Sequence, residues 1–297
     1  MSLFQEFGSM KRIVVPLLLA ILLLSGCFAD DCSKKFSSTG IVLMPAEADN
    51  QTYTSNIYHE DINNDGEPEI FVTESVLGSL QILEKCSTGD CEITDFSNGL
   101  GEPVRVKPAD LNSDGNLDLV VADIGSTFPS TDLVGRVVVL FGTNNSSFYE
   151  DSNAVVILDN VGRVTCAEVS DIDGDGDLDV VVCEFGHIEG SVLWLEQNQN
   201  GTFVRHVLDE RPGAIHAYPH DADGDGDIDI ASVISQTHEV VMLYENVGGE
   251  FVNHTLFKAG IDYFGMTGLF IEDFDGDSDI DLGFTNGAQW DGDTPQG

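Results

Sequence analysis

The chain has 297 residues, 42% of them hydrophobic, which supplies a core for one large domain or two smaller ones and excludes general disorder. Lys plus Arg number 12 against 52 Asp plus Glu, a formal charge of −40. Such acidity excludes nucleic acid, or an anionic membrane, as a partner of a basic face, and it attracts cations.

At the N-terminus, Lys11 and Arg12 precede the apolar run Ile13–Leu24, and Ser25-Gly26-Cys27 follows. A positive start, a short apolar region and small residues predict a secretory signal over residues 1–27. The run is shorter than the roughly 20 residues a bilayer span needs. Leu24–Cys27 reads LSGC, which resembles the lipobox of bacterial-type lipoproteins. The resemblance implies cleavage before Cys27, lipid on its sulfur, and a place at the cell surface or in the periplasm. Met10 fits as the start of such a signal. The alternative reading is an ordinary secreted protein with Cys27 in a disulfide. In the N-terminal segment 28–54, Lys34–Met44 reads as a strand lacking its own hairpin partners, suited to completing the last unit of a ring.

From residue 55 onward the chain repeats. Five acidic segments begin at Asp61 (DINNDGEPE), Asp110 (DLNSDGNLD), Asp171 (DIDGDGDLD), Asp221 (DADGDGDID) and Asp273 (DFDGDSDID). Their spacings are 49, 61, 50 and 52, the long one containing an insertion around STFPSTDLVG. After each segment comes an apolar, often β-branched run, such as LVVADIG, VVVCEFG or IASVISQ. In the first four units a third run (SLQILEK, RVVVLFG, SVLWLEQN, EVVMLYEN) and a fourth (for example TFVRHVLD) follow. Four short strands per unit at a period near 50 predict an all-β propeller of four-stranded blades. The units run about 55–103, 104–163, 164–213, 214–262 and a partial 263–297. The last stops after its second strand, which suits a fragment of a longer propeller or an irregular five-blade ring.

The acidic segment is then the first turn of each blade. Carboxylates at loop positions 1, 3, 5 and 9 would repel one another unless a cation joined them, and an all-oxygen shell suits Ca²⁺. Position 6 is usually Gly, which allows the positive φ of a sharp turn. The loop closes with Asp at 9 instead of Glu at 12, and it sits between strands, so it is not an EF-hand. The pattern D-x-[DN]-x-D-G-x-x-[DE] between strands resembles the FG-GAP/VCBS repeats that build the propeller of integrin α-subunits and of many microbial surface proteins. The resemblance implies several structural Ca²⁺ ions. Their ligands are Asp61, Asn63, Asp65 and Glu69 in the first loop, Asp110, Asn112, Asp114 and Asp118 in the second, and Asp171, Asp173, Asp175 and Asp179 in the third. In the fourth they are Asp221, Asp223, Asp225 and Asp229, and in the fifth Asp273, Asp275, Asp277 and Asp281. Pro68 before Glu69, and Ser278 at a Gly position, depart from the pattern in the first and last loops.

The cysteines suit an oxidising compartment. Cys86 and Cys91 bracket a turn, and Cys166 and Cys183 lie symmetrically about the third loop, so both pairs suit disulfides. Cys32 has no evident partner. Sequons at Asn50, Asn144, Asn145, Asn200 and Asn253 fall in turns.

In the strand before each loop, residues five, three and one before the first Asp share a face. They include Tyr58 and Glu60, Arg105 and Lys107, Glu168, then His216, Tyr218 and His220, and Glu272. The opposite face is apolar at Ile57, Val106, Ala167, Val169, Ala217 and Ile271. If this strand is the innermost of each blade, Arg105, Lys107, Glu168, His216, Tyr218 and His220 converge on the central channel as a ligand site. No P-loop, GxSxG or HExxH stretch is present. The expected function is a calcium-bearing, surface-anchored binding or adhesion module for glycan or protein. The alternative is an extracellular polysaccharide lyase or hydrolase using the His216/Tyr218/His220 stripe.

Overall fold

The computed structural model describes residues 12–13, 54–62, 65–87, 90–96, 99–143, 154–186, 188–236, 238–260, 265–274, 276 and 280–286. A two-residue β1 (Arg12–Ile13) lies parallel to the last strand. The first blade is β2 (Thr54–Glu60), β3 (Glu69–Glu74), β4 (Ser79–Ser87) and β5 (Asp90–Phe96). The second is β6 (Pro103–Ala109), β7 (Asp118–Asp123), β8 (Gly135–Leu140) and β9 (Ala154–Val161). The third is β10 (Val164–Ser170), β11 (Asp179–Glu184), β12 (Ser191–Gln197) and β13 (Phe203–Asp209). The fourth is β14 (Ala214–His220), β15 (Asp229–Ile234), β16 (Val240–Val247) and β17 (Glu250–Lys258). A fifth sheet joins β18 (Met266–Glu272) to β19 (Asp281–Asn286). Each four-stranded sheet is an antiparallel meander, and the first strands β2, β6, β10, β14 and β18 neighbour one another in turn. This is a β-propeller with the first strand of each blade innermost.

The burial explains the sequence pattern. The second strands β7, β11 and β15 are buried along their whole length, because blades cover both faces. One face of blade three (Ala167, Val180, Val182) packs on Val120, Ala122, Val137 and Val139 of blade two. Its other face (Cys166, Val181, Cys183) packs on Ala214, Ala217 and Ile230 of blade four. The outer strands β9 and β13 alternate between partly covered and exposed residues. Val106, Ala167 and Ala217 are buried, but Ile57 is 59% exposed. Ile57 belongs to the apolar face but joins none of the buried clusters among the described residues.

Cys166 and Cys183 oppose each other across β10 and β11 and form a disulfide, with Cα atoms 5.0 Å apart. The side chains of Cys86 and Cys91 lie outside the described residues, as do Cys27, Cys32 and the Lys34–Met44 segment. At the end of the blades away from the acidic loops, the Phe185 N–H donates to the Arg163 carbonyl at 2.7 Å. The Gly213 N–H then donates to the Phe185 carbonyl at 2.6 Å, crossing from blade four to blade three. Gly213 has φ +104, and a Cβ there would meet the Ser235 carbonyl oxygen at 2.3 Å, so only glycine fits.

Candidate functional site

The acidic loops share one local architecture. In the second, Asp110 Oδ1 accepts the Asp114 N–H at 3.0 Å and Oδ2 accepts the Gly115 N–H at 2.9 Å. Asp114 Oδ1 in turn accepts the Asn116 N–H at 2.8 Å. Corresponding bonds recur at Asp61 and Asp65, and at Asp171, Asp173 and Asp175. The position-6 glycines Gly66, Gly115, Gly176 and Gly226 all have positive φ. Short carboxylates that accept nearby backbone donors wrap the turn.

The closing carboxylate works differently from positions 1, 3 and 5. Asp179 is fully buried, accepting the Ile172 N–H at 3.0 Å on one oxygen and the Gln197 N–H at 2.7 Å on the other. Asp118 does the same with Leu111 and Gly142, and Asp229 with Ala222 and Asn246. Glu69 and Asp281 accept from Ile62 and Phe274. The position-9 acid is thus a fastener between its loop and the third strand as well as a candidate ligand. Burial lifts Asp118, Asp179 and Asp229 to about 6, and their backbone donors pull the other way.

Among the described residues, two loops gather carboxylates closely enough to hold a cation. Donor oxygens of Asp171, Asp173 and Asp179 lie within 4.8 Å of one another, as do those of Asp221, Asp223 and Asp225. Asp171 Oδ1 is buried with no hydrogen-bond partner among the described residues, and so is Asp281 Oδ1. An orphaned, buried anionic oxygen in an all-carboxylate group fits a hard divalent cation. In the second loop the Asn112 amide turns its Nδ2 toward Asp114 at 3.1 Å. Asn63, Asp275 and Asp277 lie outside the described residues.

The inner strands bring the other predicted group together. Arg105 Nη1 donates to His216 Nδ1 at 3.3 Å, across 111 residues of sequence, and Arg105 Nη2 also meets His216 Nε2. The His216 and Tyr218 ring centroids are 6.2 Å apart. Lys107 Nζ is 3.9 Å from the Glu168 carboxylate and 5.3 Å from the centre of the Tyr58 ring. The Tyr58 hydroxyl donates to Glu60 at 2.6 Å. Four blades therefore contribute to one polar group. No hydrogen bond or ring contact joins His220 to it among the described residues, and Glu272 is exposed.

The electrostatics of this group follow from burial. His216 is pushed down to about 3, by desolvation first and by the Arg105 cation second. A guanidinium only donates, so its partner must be the neutral imidazole. Burial raises Glu168, against the pull of Lys107 and Arg105. Burial lowers Arg105 and raises Tyr218.

Sequence reading missed a set of fasteners. The Gln197 amide donates to the Leu111 carbonyl at 2.9 Å and to the Leu178 carbonyl at 3.2 Å. The Asn246 amide donates likewise to Ile172 at 3.0 Å and Ile228 at 3.3 Å. Each amide thus reaches from its own blade to the acidic loop of the preceding one. The signal was an amide at the same place in LEQN and YEN, two residues past the end of an apolar run. Two matched carboxylate–imidazole contacts also went unread: Glu196 with His206, and Glu245 with His254, each at 2.6 Å.

A propeller whose blades open with an Asp-rich turn defines the class. The FG-GAP-like repeat model matches residues 61–121, 110–182 and 171–232, a span of more than half of the 297 residues. The chain belongs to the FG-GAP-like repeat family. Among solved structures it is similar to the Dos1 propeller, with 12% identity and a TM-score of 0.51, over 74% of this chain and 50% of that one. It is also similar to Sqt1 of Saccharomyces cerevisiae, with 12% identity and a TM-score of 0.47, over 74% of this chain and 52% of that one. The chain spans about half the length of these two structures, and at such identity the likeness concerns the fold. No curated protein matches the chain.

Proposed function

We propose that this propeller is a calcium-stabilised binding module, exported and held at the cell surface by lipid on Cys27. On this reading it recognises a glycan or protein through the polar group on its inner strands. FG-GAP propellers support a binding or adhesion role in general. The observation that carries the finer reading is the meeting of Arg105 with His216, beside the Lys107–Glu168 pair and Tyr218. These side chains come from three blades and retain partial exposure, which is what contact with a ligand requires. The loop carboxylates are instead directed at turn N–H groups and, on this reading, at Ca²⁺. The orphaned Asp171 Oδ1 supports the metal. Bound there, calcium would neutralise the loop carboxylates, while the chain's own Asp179 and Asp229 hold the loops to the third strands.

Binding is favoured over a polysaccharide lyase or hydrolase because a general base needs a free lone pair. Both ring nitrogens of His216 face Arg105, and Tyr218 is shifted up, away from the phenolate that abstracts protons. The test is a glycan array with added calcium, followed by the double variant His216→Ala/Tyr218→Ala. Binding should weaken while calcium-dependent melting persists. Binding that survives this change, but is lost on altering the rim segment Ser126–Asp132, would overturn the inner-strand reading.

A further inference from the structure

Among the described arginine side chains of this acidic chain, Arg163 stands apart. Arg136 pairs with Asp123, Arg205 with Glu184 and Arg211 with Asp209. Arg105 meets His216. Arg163 is 6% exposed, and its side chain has no hydrogen bond or ion pair among the described residues. Its Nε is buried without a partner. Its guanidinium carbon lies 4.7 Å from the centre of the Phe185 ring. Burial alone lowers its proton affinity, with no carboxylate acting against it.

Position makes this more telling. Arg163 immediately precedes β10, an inner strand, at the end of the blade away from the acidic loop. Its carbonyl accepts the Phe185 N–H. The equivalent residue of blade two is Glu102, whose carbonyl accepts the Ile124 N–H and whose carboxylate accepts the Thr127 N–H at 2.6 Å. In blade four it is Gly213, whose carbonyl accepts the Ser235 N–H. The fold therefore needs only a backbone carbonyl here and imposes no cation. Nor does the neighbouring Glu184 answer it: that carboxylate accepts from Gly162, Ser191 and Arg205. An aromatic face offsets only part of the cost of stripping water from a guanidinium. Among the described residues of this acidic chain, no carboxylate is paired with it.

The geometry points to an oxyanion-binding site at Arg163, on the propeller end opposite the acidic loops, in which the Nη groups hold a carboxylate or sulfate of a ligand. Nε is sealed from solvent without a partner, and neither Nη makes a hydrogen bond among the described residues, which leaves those donors for a ligand. Guanidinium Nη pairs bind such groups with charge-assisted hydrogen bonds. The Phe185 ring covers the guanidinium carbon at 4.7 Å. This site is independent of the inner-strand group of the proposed function and can fail or stand without it.

The test is calorimetric titration of the full chain with sodium sulfate and, separately, sodium acetate. A background of about 150 mM NaCl screens the net charge. The wild type should bind at least one of the two at one site per chain, and Arg163→Met should weaken that binding by at least about tenfold. Without oxyanion, R163M should melt no lower than wild type, because it removes an uncompensated buried charge. Arg163→Lys keeps the charge but loses the paired donors, and it should bind more weakly than wild type even if R163M does not fold. The idea is overturned if neither anion binds, or if binding is unchanged in the variants. It is overturned equally if R163M melts lower than wild type with its anion response intact, which marks the cation–aromatic stack as purely structural.

Discussion

The amide fasteners invite a quantitative test at Asn246. Its side chain is 3% exposed and makes three hydrogen bonds: to the carbonyls of Ile172 and Ile228, and from the Gly249 N–H at 2.8 Å. Asn246→Leu keeps the volume and removes all three. Its backbone N–H still reaches Asp229, so β16 stays in place and the loss falls on the side chain. Two carbonyls then lose a donor, and each buried unsatisfied group costs about 1–3 kcal/mol. The Gly249 N–H lies at an exposed turn and adds little, since water can replace the amide. The expected destabilisation is about 2–4 kcal/mol, which for a domain of this size lowers Tm by roughly 5–15 °C. Asn253→Leu is the control: it is exposed, makes a single 3.4 Å contact, and should change stability by less than about 0.5 kcal/mol. Urea unfolding monitored by circular dichroism measures both, with the slope checked for constancy. An Asn246→Leu midpoint indistinguishable from that of Asn253→Leu would refute the claim that these amides bind blade to blade.

Four further outcomes are expected. His216 is held neutral, with a folded-state value near 3 against about 6.5 unfolded, so its contribution is complete above pH 6.5 and is lost as pH falls toward 3. Relative to His216→Gln at fixed calcium, the wild type should lose about 2 kcal/mol between pH 7 and pH 4.5, and parallel pH profiles would contradict this. Reducing Cys166–Cys183, which closes 17 residues, should cost about 3 kcal/mol in a melt with and without reductant. On the calcium reading, EDTA should lower Tm, added calcium should restore it, and Asp171→Asn should blunt the response; an unchanged melt with no heat of calcium binding would sink that reading. Mass spectrometry of the mature N-terminus should find lipid on Cys27, whereas an unmodified residue or a retained Met10 excludes it.

The fold was legible because its signals are periodic. Five Asp-rich turns at a near-constant spacing, each followed by a β-branched run, leave few architectures, and strands such as VVVC and IASV read as buried on both faces. The polar group was legible in part. Alternation alone puts His216 and Tyr218 on one face, and Arg105 and Lys107 on another strand's corresponding face. It does not say that Arg105 reaches His216 two blades away, because that depends on how tightly the inner strands approach. The closing Asp was read as a ligand first, since sequence shows its charge and not its burial. Gln197 and Asn246 escaped because an amide at a strand end looks like a solvated turn until the neighbouring blade is in place. Arg163 was invisible for the opposite reason: what marks it is the lack of a partner, and a string of residues does not display that.

The Gly213–Phe185 hydrogen bond has a use in measurement. Most backbone amides of this propeller are bonded within their own blade, so their hydrogen exchange reports the opening of a single sheet. The Gly213 N–H is bonded to the next blade over. It becomes exchangeable when blades three and four part, even if each remains folded. Comparing its exchange with that of Val181 or Val182, deep in the β11 ladder, separates hinge-like parting of blades from melting of a blade. If a ligand or an ion clamps neighbouring blades together, the slowing should show first at Gly213, at an amide that touches neither.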